Sequence, residues 1–351
     1  MTIKRIKVNG NNYECGFQYG KAASEMIRNN IDNYQCLIKD RKNILPEQAH
    51  RIALKYQTYI PTKYLEEMQG IADGAQVNFV DILLLNCRSE LLFKDDQELQ
   101  ECTAFALMPK ITSTHDAYAC QTWDFARSQK DNVVLLEIDS DVKIMMITEA
   151  GLIGGKGLNS SGIGLTLNAL NTNSAGIGIP LHVRMRMILT EKTLASAYQK
   201  AVNMPIPVSA NLIISCKDGL ALGLELTPND FYIYYPEKGI IYHTNHIVSD
   251  SIDIIDKNRP FGNSFVRFAN IKSLLEDASA IDLNMIKKIL QDHRGHPNGI
   301  CVHADESLPL IKQHGTNHAV IMDLTNLSIH YVHGNPCQDE YQVYSLVKDL
   351  S

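Results

Sequence analysis

The sequence predicts an α+β protein in which helices pack against antiparallel sheets. Helical periodicity fills most of the first hundred residues, and from residue 102 onward short strand-like runs are separated by turn residues. These strands are grouped around pairs of helices instead of alternating with single helices, which argues against a parallel βαβ order. With 351 residues, the chain is long enough to bury a core without disulfide or metal crosslinks.

The N-terminal part of the chain is predicted to be helical. Residues 14–40 contain no proline and place apolar side chains at helical spacing. Pro46 and Pro61 each open a further helical segment, and Asn78 is placed to cap a fourth segment over residues 80–92.

The remainder is predicted to be strand-rich, with three helical stretches at 181–202, 264–276 and 283–291. The predicted strands cover residues 103–108, 117–123, 133–138, 143–148, 162–168, 211–216, 221–226, 231–235, 239–244, 318–324, 328–333 and 340–346.

Composition excludes several classes of protein. There are 33 Lys and Arg against 39 Asp and Glu, a formal net charge of −6, and no basic run of the kind that binds nucleic acid. The longest uncharged stretch, residues 157–183, is interrupted by asparagines and a proline, which are costly in lipid. The first residues lack an apolar signal segment. We therefore expect no nucleic-acid or membrane partner and a cytoplasmic location.

The eight cysteines are predicted to be reduced thiols, since no pair forms Cys-x-x-Cys and no secretory signal is evident. Cys120 and Cys337 could be redox thiols, although nothing near them in the sequence favours that role. Free cysteines are usually small buried hydrophobic residues.

Cys102 differs from the others because it begins a predicted strand directly after an acidic, loop-like segment. A second strand ends at Asp124, and a hairpin between the two strands brings this carboxylate back towards Cys102. A carboxylate in this place can position and activate a thiol nucleophile.

Two other kinds of site are less well supported. His243-x-x-His246 and His293-x-x-His296 have ligand-like spacing, and Cys301 and His303 lie near the second pair. Both pairs lie in strand-end or loop contexts without a helical His-Glu-x-x-His pattern, which favours surface or hydrogen-bonded histidines. The glycine-rich run at 154–157 lacks the spacing of a dinucleotide or phosphate loop. No metal and no organic cofactor is expected.

The segments around Cys102 and Asp124 resemble the peptidase C45 family. Its best-known member is the fungal acyl-coenzyme A:6-aminopenicillanic acid acyltransferase, and it also includes the insect β-alanyl-dopamine and carcinine hydrolases. The resemblance follows one order along nearly the whole chain. Its motifs lie at residues 16–20, 67–75, 85–90, 101–105, 121–125, 148–154, 157–162, 168–170, 223–225, 243–246, 321–324 and 334–337.

The resemblance implies an N-terminal nucleophile hydrolase, a four-layer αββα sandwich made as an inactive precursor. Such a protein cuts its own backbone, here between Glu101 and Cys102. The products would be a helical α chain, residues 1–101, and a β chain, residues 102–351. The two chains would stay associated as one compact unit.

The resemblance also implies roles for individual residues. Cys102 is the nucleophile, and its freed α-amino group, with an ordinary pKa near 8, serves as the general base. Asp124 matches the aspartate that orients the nucleophile, and Asn245 matches the asparagine that donates to the oxyanion. Asn168 matches an asparagine near the site in bile-salt and penicillin V acylases.

The chain departs from the fungal pattern at two places that bear on its activity. Glu101 stands where the fungal enzyme has glycine, and residues 312–315 lack the Ser-Arg pair thought to hold a β-lactam acid. The expected activity is hydrolysis of a linear amide (an N-acyl amine, a β-alanyl amine or an acylated amino acid) through a thioester on Cys102. The alternatives are an acyltransferase using coenzyme A thioesters and an uncleaved, non-catalytic binding protein of the same fold.

Overall fold

A computed structural model of the chain describes residues 2–92, 102–252, 254–257, 262–276, 278 and 280–347. The helices are α1 Asn12–Ala22, α2 Ser24–Lys42, α3 Pro46–Leu54, α4 Thr62–Ala75, α5 Phe79–Asn86, α6 Arg88–Leu92, α7 Leu181–Leu189, α8 Leu194–Val202, α9 Asn263–Leu275 and α10 Leu283–Leu290. The strands are β1 Lys4–Asn9, β2 Ala104–Leu107, β3 Tyr118–Ala126, β4 Val133–Asp139, β5 Ile144–Glu149, β6 Lys156–Asn159, β7 Ile163–Ala169, β8 Ala210–Cys216, β9 Ala221–Leu226, β10 Phe231–Tyr234, β11 Ile240–His243, β12 His314–Asp323, β13 Ser328–His333 and β14 Gln342–Ser345.

The described strands form two sheets. One has the order β1-β4-β5-β6-β7-β8-β9-β10 and the other the order β11-β2-β3-β12-β13-β14. Neighbouring strands are antiparallel except for β1, which is parallel to β4 with Lys4 opposite Val134. Strands β2 and β3 of the second sheet contact β7 and β8 of the first, so the two sheets pack face to face.

Helices cover the outer face of each sheet. Helices α7 and α8 lie on β6 to β9 of the first sheet, and the N-terminal helices pack beside them. On the other side, α9 and α10 bury apolar side chains such as Ile271 and Ile289 against Phe105 and Ile321 of the second sheet. The expected four-layer αββα sandwich is confirmed.

Helices α1 and α4 meet backbone to backbone, which explains two glycine pairs of the N-terminal part. A methyl group added at Gly16 would lie 2.0 Å from the carbonyl oxygen of Glu67, and one at Gly70 would lie 2.1 Å from that of Tyr13. No side chain fits into such a contact, so any larger residue would force these helices apart.

The first 42 residues differ from the prediction in two respects. Residues 4–9 form β1, with Ile6 and Val8 buried between charged residues, so this part is not entirely helical. The helix predicted over residues 14–40 is divided at Ala23, whose backbone (φ −107°, ψ 15°) is not helical.

Two further differences lie in the strand-rich part. The helix predicted over residues 181–202 ends at Leu189 and restarts at Leu194, because Thr193 caps α8 by accepting from the Ser196 amide at 3.1 Å. Strand β6 was not predicted at all. Among the described residues, no helix has both the length and the apolar character needed to cross a membrane.

Candidate active site

Cys102 lies two residues before β2 and is 1% exposed. It is therefore buried in the unbroken chain, between the two sheets. Glu101 and the bond between Glu101 and Cys102 lie outside the described residues, so the expected cleavage site stays a prediction.

Three side chains hold the backbone of Cys102. Its amide nitrogen donates to Oδ1 of Asn245 at 2.8 Å. Its carbonyl oxygen accepts from Nδ2 of Asn168 at 2.9 Å and from Nη1 of Arg267 at 2.9 Å. Asn168 and Asn245 thus lie together at Cys102, as the resemblance implied. Arg267, a fully buried residue of α9, was not singled out in the sequence.

The hydrogen bonds around Asn245 fix which way its amide group faces. Oδ1 also accepts from Nη2 of Arg267 at 3.0 Å, and Nδ2 donates to the carbonyl oxygen of Ala169 at 3.0 Å. The amide oxygen therefore faces the nitrogen of Cys102. This orientation suits a residue that holds that nitrogen.

Asn168 belongs to a chain of polar side chains across β7, β8 and β10. Its Oδ1 accepts from Nδ2 of Asn211 at 3.0 Å, and Oδ1 of Asn211 accepts from the Tyr234 hydroxyl at 2.8 Å. Each buried amide is thereby partnered, which fixes the orientation of the Asn168 amide towards Cys102.

Asp124 lies on β3, and the antiparallel pairing of β2 with β3 brings it to Cys102 as predicted. The backbone of Asp124 hydrogen-bonds the Cys102 thiol. Its carboxylate accepts from the hydroxyl of Thr316 at 2.6 Å, and Thr122 lies at 3.4 Å from the other oxygen.

Burial and the nearby charges determine how readily the Cys102 thiol ionises. Burial, and after it the negative charge of Asp124, raises the pKa of Cys102 to about 11, against the opposing positive charges of Lys156 and Arg267. The Asp124 carboxylate thus disfavours the ionised form of the thiol. The expectation that it also activates the thiol is not supported by these charges.

A cavity of about 30 Å³ opens beside Cys102, enough for about two water molecules. Lys156 lines it, with its ammonium 4.9 Å from the centre of the Trp123 ring. Burial lowers the pKa of Lys156 to about 8, although the neighbouring Cys102 and Glu149 act in the opposite direction. Lys156 was passed over in the sequence, where it is the single charge in a glycine-rich run.

Two buried histidines also line the cavity. Among the described residues, no hydrogen-bond partner is found for either ring nitrogen of His318 or for Nε2 of His182. Burial holds the pKa of both rings well below the ordinary value, so they are neutral at pH 7. A buried nitrogen without a partner is unfavourable, which makes both rings candidates to bind a polar group that enters the cavity.

His243, His246 and Gly154, which the sequence also singled out, have ordinary structural surroundings. His243 contacts Glu225 at 2.8 Å, and His246 contacts the Ser264 hydroxyl at 2.8 Å. A methyl group at Gly154 would lie 1.8 Å from the carbonyl oxygen of His182, so close packing against α7 accounts for this glycine.

Two face-to-face sheets between layers of helices form the αββα fold of the N-terminal nucleophile hydrolases. The profile of the acyl-coenzyme A:6-aminopenicillanic acid acyl-transferase family matches residues 112–338, more than half of the chain. The chain therefore belongs to that family, which confirms the resemblance seen in the sequence.

The chain is also similar to individual proteins. The chain is 27% identical over 303 residues to the 40 kDa form of the acyl-coenzyme A:6-aminopenicillanic-acid-acyltransferase of Emericella nidulans, covering 84% of each chain. Among solved structures, it is similar to an N-acylethanolamine-hydrolyzing acid amidase ortholog of Caenorhabditis elegans (TM-score 0.46, 12% identity, 64% of this chain and 93% of that chain). It is also similar to penicillin V acylase from Agrobacterium tumefaciens (TM-score 0.45, 10% identity, 70% and 87%).

Proposed function

We propose that the protein cleaves its own backbone before Cys102 and then hydrolyses a linear amide through a thioester on that residue. The observation that carries the proposal is the network around Cys102, in which separate side chains hold its backbone nitrogen and its carbonyl oxygen. A cysteine that served packing alone would have its backbone paired within the sheet. Here both atoms are held by buried polar side chains from other elements.

Self-cleavage begins when the Cys102 sulfur attacks the carbonyl carbon of Glu101. The carbon–nitrogen bond breaks, a thioester forms, and the thiol proton moves to the leaving nitrogen. Water then hydrolyses the thioester, leaving a carboxyl group on Glu101 and a free thiol and amine on Cys102. Asn245 already accepts from this nitrogen at 2.8 Å, so the new amine would start in a fixed position.

In turnover, the α-amino group of Cys102 takes the proton from its own thiol, since its ordinary pKa near 8 suits a base at neutral pH. The thiolate attacks the substrate carbonyl, the amine product leaves with a proton, and water releases the acyl group. Asn245 Oδ1 accepts a hydrogen bond from the amine. This hydrogen bond turns the lone pair of the amine nitrogen towards the sulfur. The role of Asn245 as oxyanion donor, implied by the resemblance, stays a prediction, because its Nδ2 donates to Ala169.

Lys156 adds the positive charge that the thiol needs. Its charge favours the thiolate of Cys102, against the opposing charge of Asp124. Because the pKa of Lys156 is about 8, this contribution is present below that pH and is lost above it. Lys156 is thus proposed as a residue that tunes the nucleophile.

The cavity supports a polar acyl group on a small-molecule amide. Lys156, His182 and His318 surround it with nitrogen atoms, and three nitrogens of the two neutral rings have no hydrogen-bond partner among the described residues. About 30 Å³ is too small for an acyl amine, so we propose that cleavage opens the site. Hydrolysis is the default reaction because water is always present; coenzyme A thioesters are the alternative acyl donors.

The two cleaved chains are proposed to stay associated. Strand β1 would belong to the N-terminal chain but pairs with β4, and Arg5 forms an ion pair with Glu137 across this contact. Deeper in the fold, Arg88 forms a buried ion pair with Glu149, which also accepts from the Tyr34 hydroxyl. Separating the chains would break both ion pairs.

Intact-mass analysis of the purified protein tests the proposal. We expect two fragments, 1–101 and 102–351, with cysteine at the second N-terminus, and amidase activity against a library of N-acyl and β-alanyl amines. Cys102→Ala should remain a single inactive chain, whereas Cys120→Ala, which removes a buried thiol from the other face of the same sheet, should process normally. A single stable wild-type chain without activity would support the non-catalytic binding protein, and normal processing of Cys102→Ala would refute the mechanism.

A further inference from the structure

Four potential metal ligands that do not line the cavity beside Cys102 converge in the described part of the chain. His293 follows α10, Cys301 and His303 lie on the segment that leads to β12, and Cys337 follows β13. One donor atom from each lies within 4.8 Å of all the others. We refer to these four residues as the Cys2His2 cluster.

The distances within the cluster match the edges of a metal-centred tetrahedron. Zinc bonds of about 2.3 Å to sulfur and about 2.0–2.1 Å to nitrogen give edges of about 3.8 Å between sulfurs, about 3.6 Å between sulfur and nitrogen and about 3.4 Å between nitrogens. The Cys301 and Cys337 sulfurs lie 3.6 Å apart. Nε2 of His303 lies 3.9 Å from the first sulfur, 3.2 Å from the second and 3.0 Å from Nε2 of His293.

The surroundings of the cluster suit a thiolate ligand. Asn335 Nδ2 lies 3.4 Å from the Cys301 sulfur and donates to the carbonyl oxygen of Val302 at 2.7 Å. An amide donor beside a ligand sulfur stabilises its negative charge and fixes its orientation.

We propose that the Cys2His2 cluster binds one Zn²⁺ ion in a closed structural site. Two thiolates and two imidazoles fill all four positions of tetrahedral zinc, which leaves none for substrate or water and excludes a catalytic role for the ion. The sequence favoured surface or hydrogen-bonded histidines because the His-x-x-His pairs lie in strand-end or loop contexts without a helical His-Glu-x-x-His pattern. Only the fold brings Cys337 to the other three residues of the cluster.

The proposed ion would also support the wall of the active site. Between two of its ligands, Val302 donates to Thr316 Oγ1 at 2.9 Å and accepts from the Thr316 amide at 2.9 Å. Thr316 in turn donates to the Asp124 carboxylate. Zinc would thus fix the segment that holds Thr316 in place.

Metal analysis of the purified full-length protein tests this site. We expect about one zinc ion per chain by elemental mass spectrometry, retained in the processing-dead Cys102→Ala variant, so that the result does not depend on self-cleavage. Cys301→Ser and Cys337→Ser should lose at least ten-fold in zinc affinity. Cys36→Ser, which removes an exposed thiol elsewhere, should bind zinc like the wild type.

A spectroscopic measurement on the wild type covers the case in which the cysteine variants do not fold. After removal of the metal by a chelator, added Co²⁺ should give the visible absorption of a tetrahedral thiolate site, and added Zn²⁺ should abolish it and raise the melting temperature. Protein purified with zinc in the medium but without bound metal would overturn the proposal, as would a disulfide between Cys301 and Cys337 under reducing conditions or full zinc binding by Cys301→Ser.

Discussion

Asp124 and Thr316 lie directly opposite each other on β3 and β12, and the Thr316 hydroxyl donates to the Asp124 carboxylate at 2.6 Å. The same hydroxyl accepts from the Val302 amide at 2.9 Å. The carboxylate beside the nucleophile is therefore oriented from a strand that does not carry the nucleophile, by a residue that the motifs do not mark.

Replacing Thr316 by valine should slow self-cleavage and turnover by about five- to a hundredfold. Valine keeps the shape of threonine but removes the donor to a buried carboxylate, a loss of about 1–3 kcal/mol. Thr316→Ser keeps the hydroxyl and serves as the control, with rates near those of the wild type. Processing is followed by gel band intensity over time, and equal rates for both variants would show that this hydrogen bond does not position Asp124.

Replacing Asn245 distinguishes its two possible roles, which are to hold the nitrogen of Cys102 and to donate to the oxyanion. Asn245→Ala should reduce turnover by about a hundredfold or more in either role, because it removes a buried polar contact with the reacting groups. If Asn245 holds the nitrogen of Cys102, Asn245→Asp should retain part of the activity, since a carboxylate also accepts from an amine.

The pH profile provides the decisive measurement for Asn245. A carboxylate beside the amine raises the pKa of that amine, so the rise of activity with pH should move to higher pH in Asn245→Asp. An unchanged profile with full loss of activity would favour the oxyanion role instead.

Lys156→Met should raise the pKa of the Cys102 thiol, because it removes a positive charge that favours the thiolate. The pKa of this thiol in the wild type is about 11, so the pH at which the thiol reacts with iodoacetamide should rise further in the variant. The rate of alkylation should fall more at pH 7 than at higher pH, because the wild-type lysine, with a pKa of about 8, is mainly protonated at pH 7. Site-resolved alkylation by mass spectrometry measures this rate.

The matched control for Lys156 is Lys143→Met. This lysine is exposed and pairs with Asp139 at 3.1 Å, far from the thiol. Its replacement should leave the alkylation of Cys102 unchanged. Identical behaviour of the two variants would remove Lys156 from the mechanism.

The fold should lose stability in mild acid. Burial, together with a nearby positive group in each case, lowers the pKa of His246 to about 3 and that of His330 to about 4. In the unfolded chain both titrate near pH 6.5, so between about pH 6.5 and 4 the unfolded state binds protons that the folded state does not. The free energy of unfolding therefore keeps its full value above pH 6.5. Below pH 6.5 it falls by about 1.4 kcal/mol per pH unit for each histidine.

Urea unfolding at pH 7, 6 and 5 checks this dependence. His330→Gln should reduce the slope because it removes one of the buried histidines whose pKa is lowered. A free energy of unfolding that does not change between pH 7 and 5 would contradict the neutral, buried state of these rings.

Local patterns predicted most of the secondary structure because the strands are short and bounded by turn residues. Strand β1 was not predicted, although its charged and apolar residues alternate. A short alternating run alone is ambiguous, and the partner strand β4 lies far along the chain. Strand β6 begins with Lys156 and Gly157, residues of low strand propensity, and exists because β5 and β7 flank it.

The residues of the candidate site also fall into those that the sequence predicts and those that it does not. Cys102 and Asp124 were predictable from strand order and motif, and Asn245 from motif. Lys156 and Thr316 were not, because each acts through a neighbour that only the tertiary fold supplies. Arg267 gave a weak signal, since a lone arginine between Val266 and Phe268 on a helix needs a buried partner if it faces the core.

The pairing of β1 with β4 has a consequence for how the mature protein would denature. Once the backbone is cut before Cys102, one sheet is assembled from two separate polypeptides, and melting becomes a dissociation. The melting temperature should then rise with protein concentration, and recovery after dilution from urea should follow second-order kinetics. The uncut Cys102→Ala chain, which keeps the same contacts in a single polypeptide, should show neither effect.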